Sequence, residues 1–279
     1  MVLVSGARLA SAGLVDSDGT FLRTPMGHRT TIPFGDHSSI DMDASTVALI
    51  RDAGDRRRVF LQDGQVRITV DHGVSKPTDV YLPHALLEDR GTQFNVSTHD
   101  DITIVTVTAG SVRVLEYGED GTLSDPVNVT GPIPRRVPLT LSRGDSARLE
   151  EHGGVMFAYS ERNSPEEAQL RSSWLLGEVA TAGESLDEIV AQFNRYNRIP
   201  MVIEDPGIAR KKLGGHYFLT ETGTFLTTLS MGLGLRAVPV TDGTGDVVQM
   251  YLLRASDDKA SEDGNTSHNR RRPVTKSSR

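Results

Sequence analysis

The chain has 279 residues, enough for two domains of the usual ~100–200 residues that could each bury a core. With 30 Lys+Arg against 37 Asp+Glu it is mildly acidic, which excludes a basic field for nucleic acid or an anionic membrane. It contains no cysteine, so disulfides, thiolate metal sites and cysteine nucleophiles are excluded together.

Residues 1–20 are small and apolar around Arg8. They do not supply the ~20 consecutive apolar residues of a spanning helix. Arg8 also interrupts the run that a secretory signal would need. A terminal tail is the expectation here. From Phe21 to about residue 160 the signals are almost wholly β. Thr30–Ile32 and Ser39–Asp43 flank a Pro33-Phe34-Gly35-Asp36 bend, and Thr46–Ile50 is a β-branched run. Val59–Leu61 and Val66–Val70 flank Asp63-Gly64, a dipeptide that predicts a hairpin. Gly91 to Val114 then reads as a meander. Phe94 and Val96 alternate with Gln93 and Asn95, Asp100-Asp101 breaks the pattern, and Ile102–Val107 is β-branched. Ala109-Gly110 predicts a second hairpin before Val112 and Val114. Residues 119–137 are a Gly- and Pro-rich loop, and a last strand pair is expected around Arg143-Gly144-Asp145. Such spacing argues for an antiparallel sandwich, barrel or short solenoid.

The words GTQFNV, VTVTAGSVRV and PLTLSRGDSARL resemble the periplasmic domain of the FecR family of sigma regulators, and the resemblance runs from roughly Phe21 to Ala255. It departs from the family pattern at Ile32-Pro33-Phe34-Gly35-Asp36, where family members have a Leu-Pro-Asp-Gly turn. Gly64-Gln65-Val66-Arg67-Ile68 also lacks the acid and aromatics of the family's Gly-Glu-Ala-Phe-Phe stretch. The resemblance implies an inner-membrane signal transmitter that controls an extracytoplasmic-function sigma factor. It also implies a cytoplasmic sigma-binding domain and one transmembrane helix ahead of the matched region. Residues 1–20 are then expected to be a remnant of that helix's outer end.

Residues 161–173 are polar and read as a linker. Beyond them Trp174–Leu176 with Val179 predicts a strand, and Ser185-Leu186-Asp187-Glu188 a capping box. Leu186, Ile189, Val190 and Phe193 fall on one helix face, in a helix that must stop before Pro200. Met201–Ile203 is a strand, Asp205-Pro206-Gly207 a turn and Gly214–Leu219 a strand. A second helix runs through Phe225–Leu229, ended by Gly232 or Gly234. Leu235–Val240 and Val247–Leu253 close the module as a hairpin. Residues 256–279 are a solvated tail. The order β-α-β-β-α-β-β over residues 174–255 resembles the STN-type module of secretins and TonB-dependent transporters, the usual partner of a FecR domain. The fold expectation is therefore mainly β, with a FecR-like domain over residues 21–160 followed by a small α+β module.

Nothing in the chain assembles a catalytic motif. The histidines have no metal-ligand spacing, and neither a G-x-S-x-G elbow nor a P-loop occurs. Asp16-Ser17-Asp18-Gly19 and Asp41-Met42-Asp43 lack the distal glutamate of a calcium loop. No enzyme activity, cofactor or metal is expected. The family resemblance implies a periplasmic receiver that docks the signalling domain of a TonB-dependent outer-membrane transporter, often one for iron chelates. It would reach the sigma factor only through the missing cytoplasmic domain. The alternative is a β-rich envelope protein that binds or hydrolyses carbohydrate. The strand Val247–Leu253 is apolar on both faces, so it is either central in its sheet or an edge completed by a partner. In the second case Met250 and Tyr251 are the candidate partner-binding residues.

Overall fold

The β-branched runs form strands, but Gly64 and Gly110, expected to turn hairpins, do not. The structure is a computed structural model describing residues 19–254, apart from 35–36, 72–75, 90, 100–101, 118–120 and 132. Residues 1–18, Gly35-Asp36, Asp100-Asp101 and the tail after 254 lie outside the described residues. In chain order the first strands are β1 (Thr20–Arg23), β2 (Thr30–Pro33), β3 (Ser39–Met42), β4 (Val47–Ala53), β5 (Arg56–Thr69), β6 (Thr78–Tyr81) and β7 (Ala85–Asp89). There follow β8 (Gln93–His99), β9 (Ile102–Ala109), β10 (Ser111–Tyr117), β11 (Leu123–Ser124) and β12 (Val127–Asn128). The first module ends with β13 (Arg135–Arg136), β14 (Leu139–Ser142), β15 (Asp145–His152) and β16 (Val155–Arg162).

Asp63-Gly64 lies inside β5, a continuous strand of 14 residues, and this corrects the expected hairpin. The first half of β5 pairs with β4 and, in parallel, with β6; the second half pairs with β3 and β8. The chain bends at Gly64, where φ is +109° and a Cβ would lie 2.5 Å from the Thr46 Cα. One strand thus belongs to two layers, and its corner requires the one residue without a side chain. Ala109-Gly110 behaves in the same way. β9 pairs with β8 and β15, whereas β10 pairs with β7, β11 and β14, so the expected β9–β10 hairpin is a crossing between layers. Gly110 has φ +74°, and a Cβ there would meet the Gly91 carbonyl at 2.2 Å. Gly144 separates β14 and β15, which also pair with different neighbours. The result is a curled, mostly antiparallel sheet folded over a single core that includes Val59, Leu61, Val66, Ile68, Phe94 and Val105.

The segment expected as a linker is folded. β16 continues to Arg162, and α1 (Pro165–Leu170) follows with a complete capping box between Ser164 and Glu167. Ser164-Pro165-Glu166-Glu167 carries that signal in the sequence. Trp174–Leu176, expected in a strand with Val179, lie instead in a 3₁₀ turn over Ser173–Leu176 that buries Trp174, while Val179 is in the strand that follows. The second module continues with β17 (Glu178–Ser185), α2 (Leu186–Asn194), β18 (Met201–Val202), α3 (Pro206–Ala209) and β19 (Lys212–Phe218). It ends with α4 (Thr222–Leu233), β20 (Leu235–Thr241) and β21 (Val247–Arg254). α3 replaces the expected turn at Asp205-Pro206-Gly207, with the Asp205 carboxylate capping it. Leu186, Ile189, Val190 and Phe193 face the second core as the periodicity predicts, with Phe193 stacked on Phe225 at 4.2 Å between ring centroids. Gly234, at φ +63°, ends α4. Among the described residues no helix is long and apolar enough to cross a membrane.

Candidate functional site

The second module sits on the polar face of the first. Adjacent rows across β5, β8, β9 and β15 are Gln65–Ser97–Ile104–Arg148 and Arg67–Asn95–Thr106–Ser146. Strand alternation points these residues away from the first core, and on an isolated sheet they would face water. Yet Gln65 and Asn95 are each only 4% exposed, because α1, the 3₁₀ turn and α2 lie over them. Burial forces their polar groups to find partners. Most of those partners are on the second module.

At one end of the seam Arg195, the residue that ends α2, projects into the first module. Its Nη1 donates to Gln65 Oε1, its Nη2 donates to Ser97 Oγ at 3.0 Å, and its Nη1 lies 3.7 Å from Asp43 Oδ2. The Tyr196 hydroxyl donates to Asp43 Oδ1. The Arg195 carbonyl accepts from Gly27 N and Ser45 Oγ, both at 3.2 Å, so the carbonyl at this helix end is satisfied by the other module. The Asp43 side chain is fully buried. Burial raises its pKa above the ordinary carboxylate value, outweighing Arg195 and Tyr196, which pull it down. Burial, then the Asp43 charge, pushes the Tyr196 hydroxyl further up, so it stays protonated and donates. The sequence pattern places Asp43 only at the end of the Ser39–Asp43 run and carries no signal for Arg195.

At the other end Arg148 on β15 reaches Glu150 at 2.6 Å and Glu188 of α2 at 2.9 Å. Arg171 contacts Glu161, Glu184 and Glu188 at 3.1, 3.5 and 3.8 Å. This corrects the expected Ser185–Glu188 capping box. The Glu188 carboxylate is held by two guanidiniums, and Ser185 Oγ is buried without a hydrogen bond. A cavity of about 220 Å³ lies in the seam between these two ends.

Met250 and Tyr251 lie elsewhere, on β21. That strand is the middle of three, between β18 and β20, and both residues are paired on both sides. β21 is therefore no open edge. Met250 packs against the second core, whereas Tyr251 is half-buried and alternates to the opposite face. The structure thus separates the two residues. Among the described residues no group of three or more His, Cys, Asp or Glu is placed to hold a metal.

This is a β-rich module wrapped on one face by a small α+β module, in an architecture shared with solved structures. Two crystal structures of a candidate anti-sigma factor from Parabacteroides distasonis ATCC 8503, at 1.65 and 2.50 Å resolution, match with a TM-score of 0.63 and 17% identity. Each match covers 85% of this chain and 100% of that one. At that identity the likeness speaks for the fold. No curated protein matches the chain. Residues 20–113 match the family model described as FecR protein, and over them the chain is similar to that family. The matched span runs from β1 into β10, so it includes Asp43, Gln65, Asn95 and Ser97 of the seam but not Arg148.

Proposed function

We propose that this chain is the periplasmic signal-receiving part of a FecR-like sigma-factor regulator, and that it docks the signalling domain of a TonB-dependent outer-membrane transporter. The FecR match over residues 20–113 carries this reading. The second module supports it, because its order of strands and helices is that of an STN-like unit, with one helical turn added at Pro206–Ala209. The reading is regulatory and requires no catalysis.

The docking surface we infer is the outer face of the β18–β21–β20 sheet. Tyr251 stands there beside its cross-strand neighbours Val202 and Val238, all half-buried. An amphipathic tyrosine among aliphatic residues suits a protein interface. Titration calorimetry with the signalling domain of a TonB-dependent transporter from the same genome tests the reading. Binding is expected, and Tyr251→Asp should abolish it with the melting temperature unchanged. Met250→Asp should instead unfold the module. Absence of binding by the parent chain would overturn the proposed partner. Undiminished binding by Tyr251→Asp would overturn the proposed surface.

A further inference from the structure

We propose that the acidic start of the chain's own C-terminal segment, Asp257–Asp263, docks along the open edge of β19 and covers it. The backbone identifies that edge. β17 and β19 form a sheet of two strands. The far side of β17 is closed by Ser173, whose Oγ accepts from Ala180 N at 2.8 Å and donates to the Glu178 carbonyl at 3.1 Å. Ala180 and Glu178 stand opposite His216 and Phe218. Directly opposed residues of an antiparallel pair either exchange their hydrogen bonds or both turn them outward. The amide groups of His216 and Phe218 therefore turn away from β17, to the side where β19 has no neighbouring strand among the described residues. Both residues are exposed. The Phe218 carbonyl accepts from Glu221 N at 2.9 Å, which leaves two N–H donors and the His216 carbonyl on the open edge. Such a row pairs readily with an extended segment.

Charge and position select the segment. Arg210, Lys211 and Lys212 stand consecutively where β19 begins, and none of them forms an ion pair among the described residues. Carboxylates of the adjoining elements are engaged elsewhere. Asp205, which caps α3, lies 3.4 Å from Arg254, and Asp187 and Glu188 of α2 lie 3.8 and 2.9 Å from Arg148. Residues 257–263 read Asp-Asp-Lys-Ala-Ser-Glu-Asp, four acids against one base. They also start close by. β21 ends at Arg254, whose guanidinium meets Asp205 at the start of α3. From α3 the chain passes directly to the three cations, with Arg210 N on the Pro206 carbonyl at 3.2 Å and Lys211 N on the Ile208 carbonyl at 3.0 Å. α3 is four residues long, a rise of only about 6 Å. Asp257 and Asp258 follow Arg254 by three and four residues, a reach of roughly 10–14 Å when extended. Exposed charge pairs are individually weak, but the tether makes this association intramolecular, so weak pairs suffice. β19 lies outside the β18–β21–β20 sheet, so this occupant is independent of the partner proposed above.

The test uses the full chain. Because it has no cysteine, Ser261→Cys provides a single site for a nitroxide label. At low salt the label should broaden the amide NMR signals of Lys212, Gly214, His216 and Phe218 more than any others outside the C-terminal segment. The broadening should vanish at about 1 M salt, where the Debye length falls to about 3 Å. Neutralising the segment with Asp257→Asn, Asp258→Asn, Glu262→Gln and Asp263→Asn should also remove it. In that variant the His216 and Phe218 amides should exchange with solvent about fivefold faster, the factor a good exposed charge pair supplies. Lys211→Glu with Lys212→Glu should abolish the broadening, and adding Asp257→Lys with Asp258→Lys should restore it. Should the lysine variant fail to fold, the neutralised segment carries the test, since its changes lie outside the folded modules. Broadening no stronger at β19 than over the rest of the surface would overturn the proposal and leave the lysines as simple guards of an edge. So would broadening that survives neutralisation. Broadening of unlabelled molecules mixed with labelled ones, growing with concentration, would assign the edge to a second copy and overturn it as well.

Discussion

Arg195 carries more of the structure than any residue singled out by its sequence pattern. It follows α2, where a cation suits the negative end of the helix dipole, but its guanidinium is buried against Asp43, Gln65 and Ser97. Removing one member of a buried pair strands the other, and such losses run to about 3–5 kcal/mol. Arg195→Ala should therefore destabilise the chain by about that much in urea denaturation. Adding Asp43→Asn should recover part of the loss, because the stranded charge goes with it. An additive double variant would mean that the two residues do not interact. The pH dependence has a definite sign. A carboxyl whose folded pKa is raised, as at Asp43, contributes stability below its unfolded value. It loses that contribution as pH rises through the folded value. The parent should therefore lose stability relative to Asp43→Asn as pH climbs from about 3.9, the ordinary Asp value, through the higher folded one. A difference that stays constant from about pH 4 to about pH 8 would show that Asp43 titrates as an ordinary Asp.

At the scale of elements, two serines that look alike in sequence part company. Both begin an S-x-x-E word. Ser164 accepts from Glu167 N at 3.1 Å, and Glu167 returns a bond to Ser164 N at 2.7 Å. Ser185 makes no such bond. Ser164→Ala should cost about 1 kcal/mol, while Ser185→Ala should cost nothing measurable, since no hydrogen bond is lost. Equal losses in chemical denaturation would contradict the separation. The strands were legible because alternation and β-branching report burial directly: Phe94, Val96, Val105 and Val107 are all fully buried. Their pairing was not legible. A glycine at positive φ serves a hairpin and a corner equally well, and only the tertiary partner distinguishes them. Gly64 and Gly110 are corners. Gly64→Ala should cost about 1–3 kcal/mol from backbone strain alone, and the approach of Thr46 adds to it. A loss below about 0.5 kcal/mol, the usual ceiling for a surface change, would mean that β5 does not bend there.

For the whole molecule, each module has its own hydrophobic core, and none of the described residues belongs to both. The two cores were foreseeable from separate apolar patterns. The seam was not, because Gln65, Asn95 and Thr106 sit on the alternate face that a single strand reads as solvent-exposed. Asn95 is joined to Ser172, 77 positions away, and Gln65 to Arg195, 130 positions away, and local periodicity carries no such information. The seam is polar and ionic, while each core is apolar. Breaking the seam should therefore release the modules from each other without emptying either core. We expect each module to fold as its own unit once released, joined by residues 161–173. Arg148→Ala combined with Arg195→Ala should split a single thermal transition into two. It should also open the connection around α1 to limited proteolysis, leaving two resistant fragments. In the parent, α1 is capped, and Ala168, Ser172 and Trp174 are buried, so cleavage there should be slow. If the double variant melts in one step and is degraded without a resistant fragment, the modules depend on each other to fold.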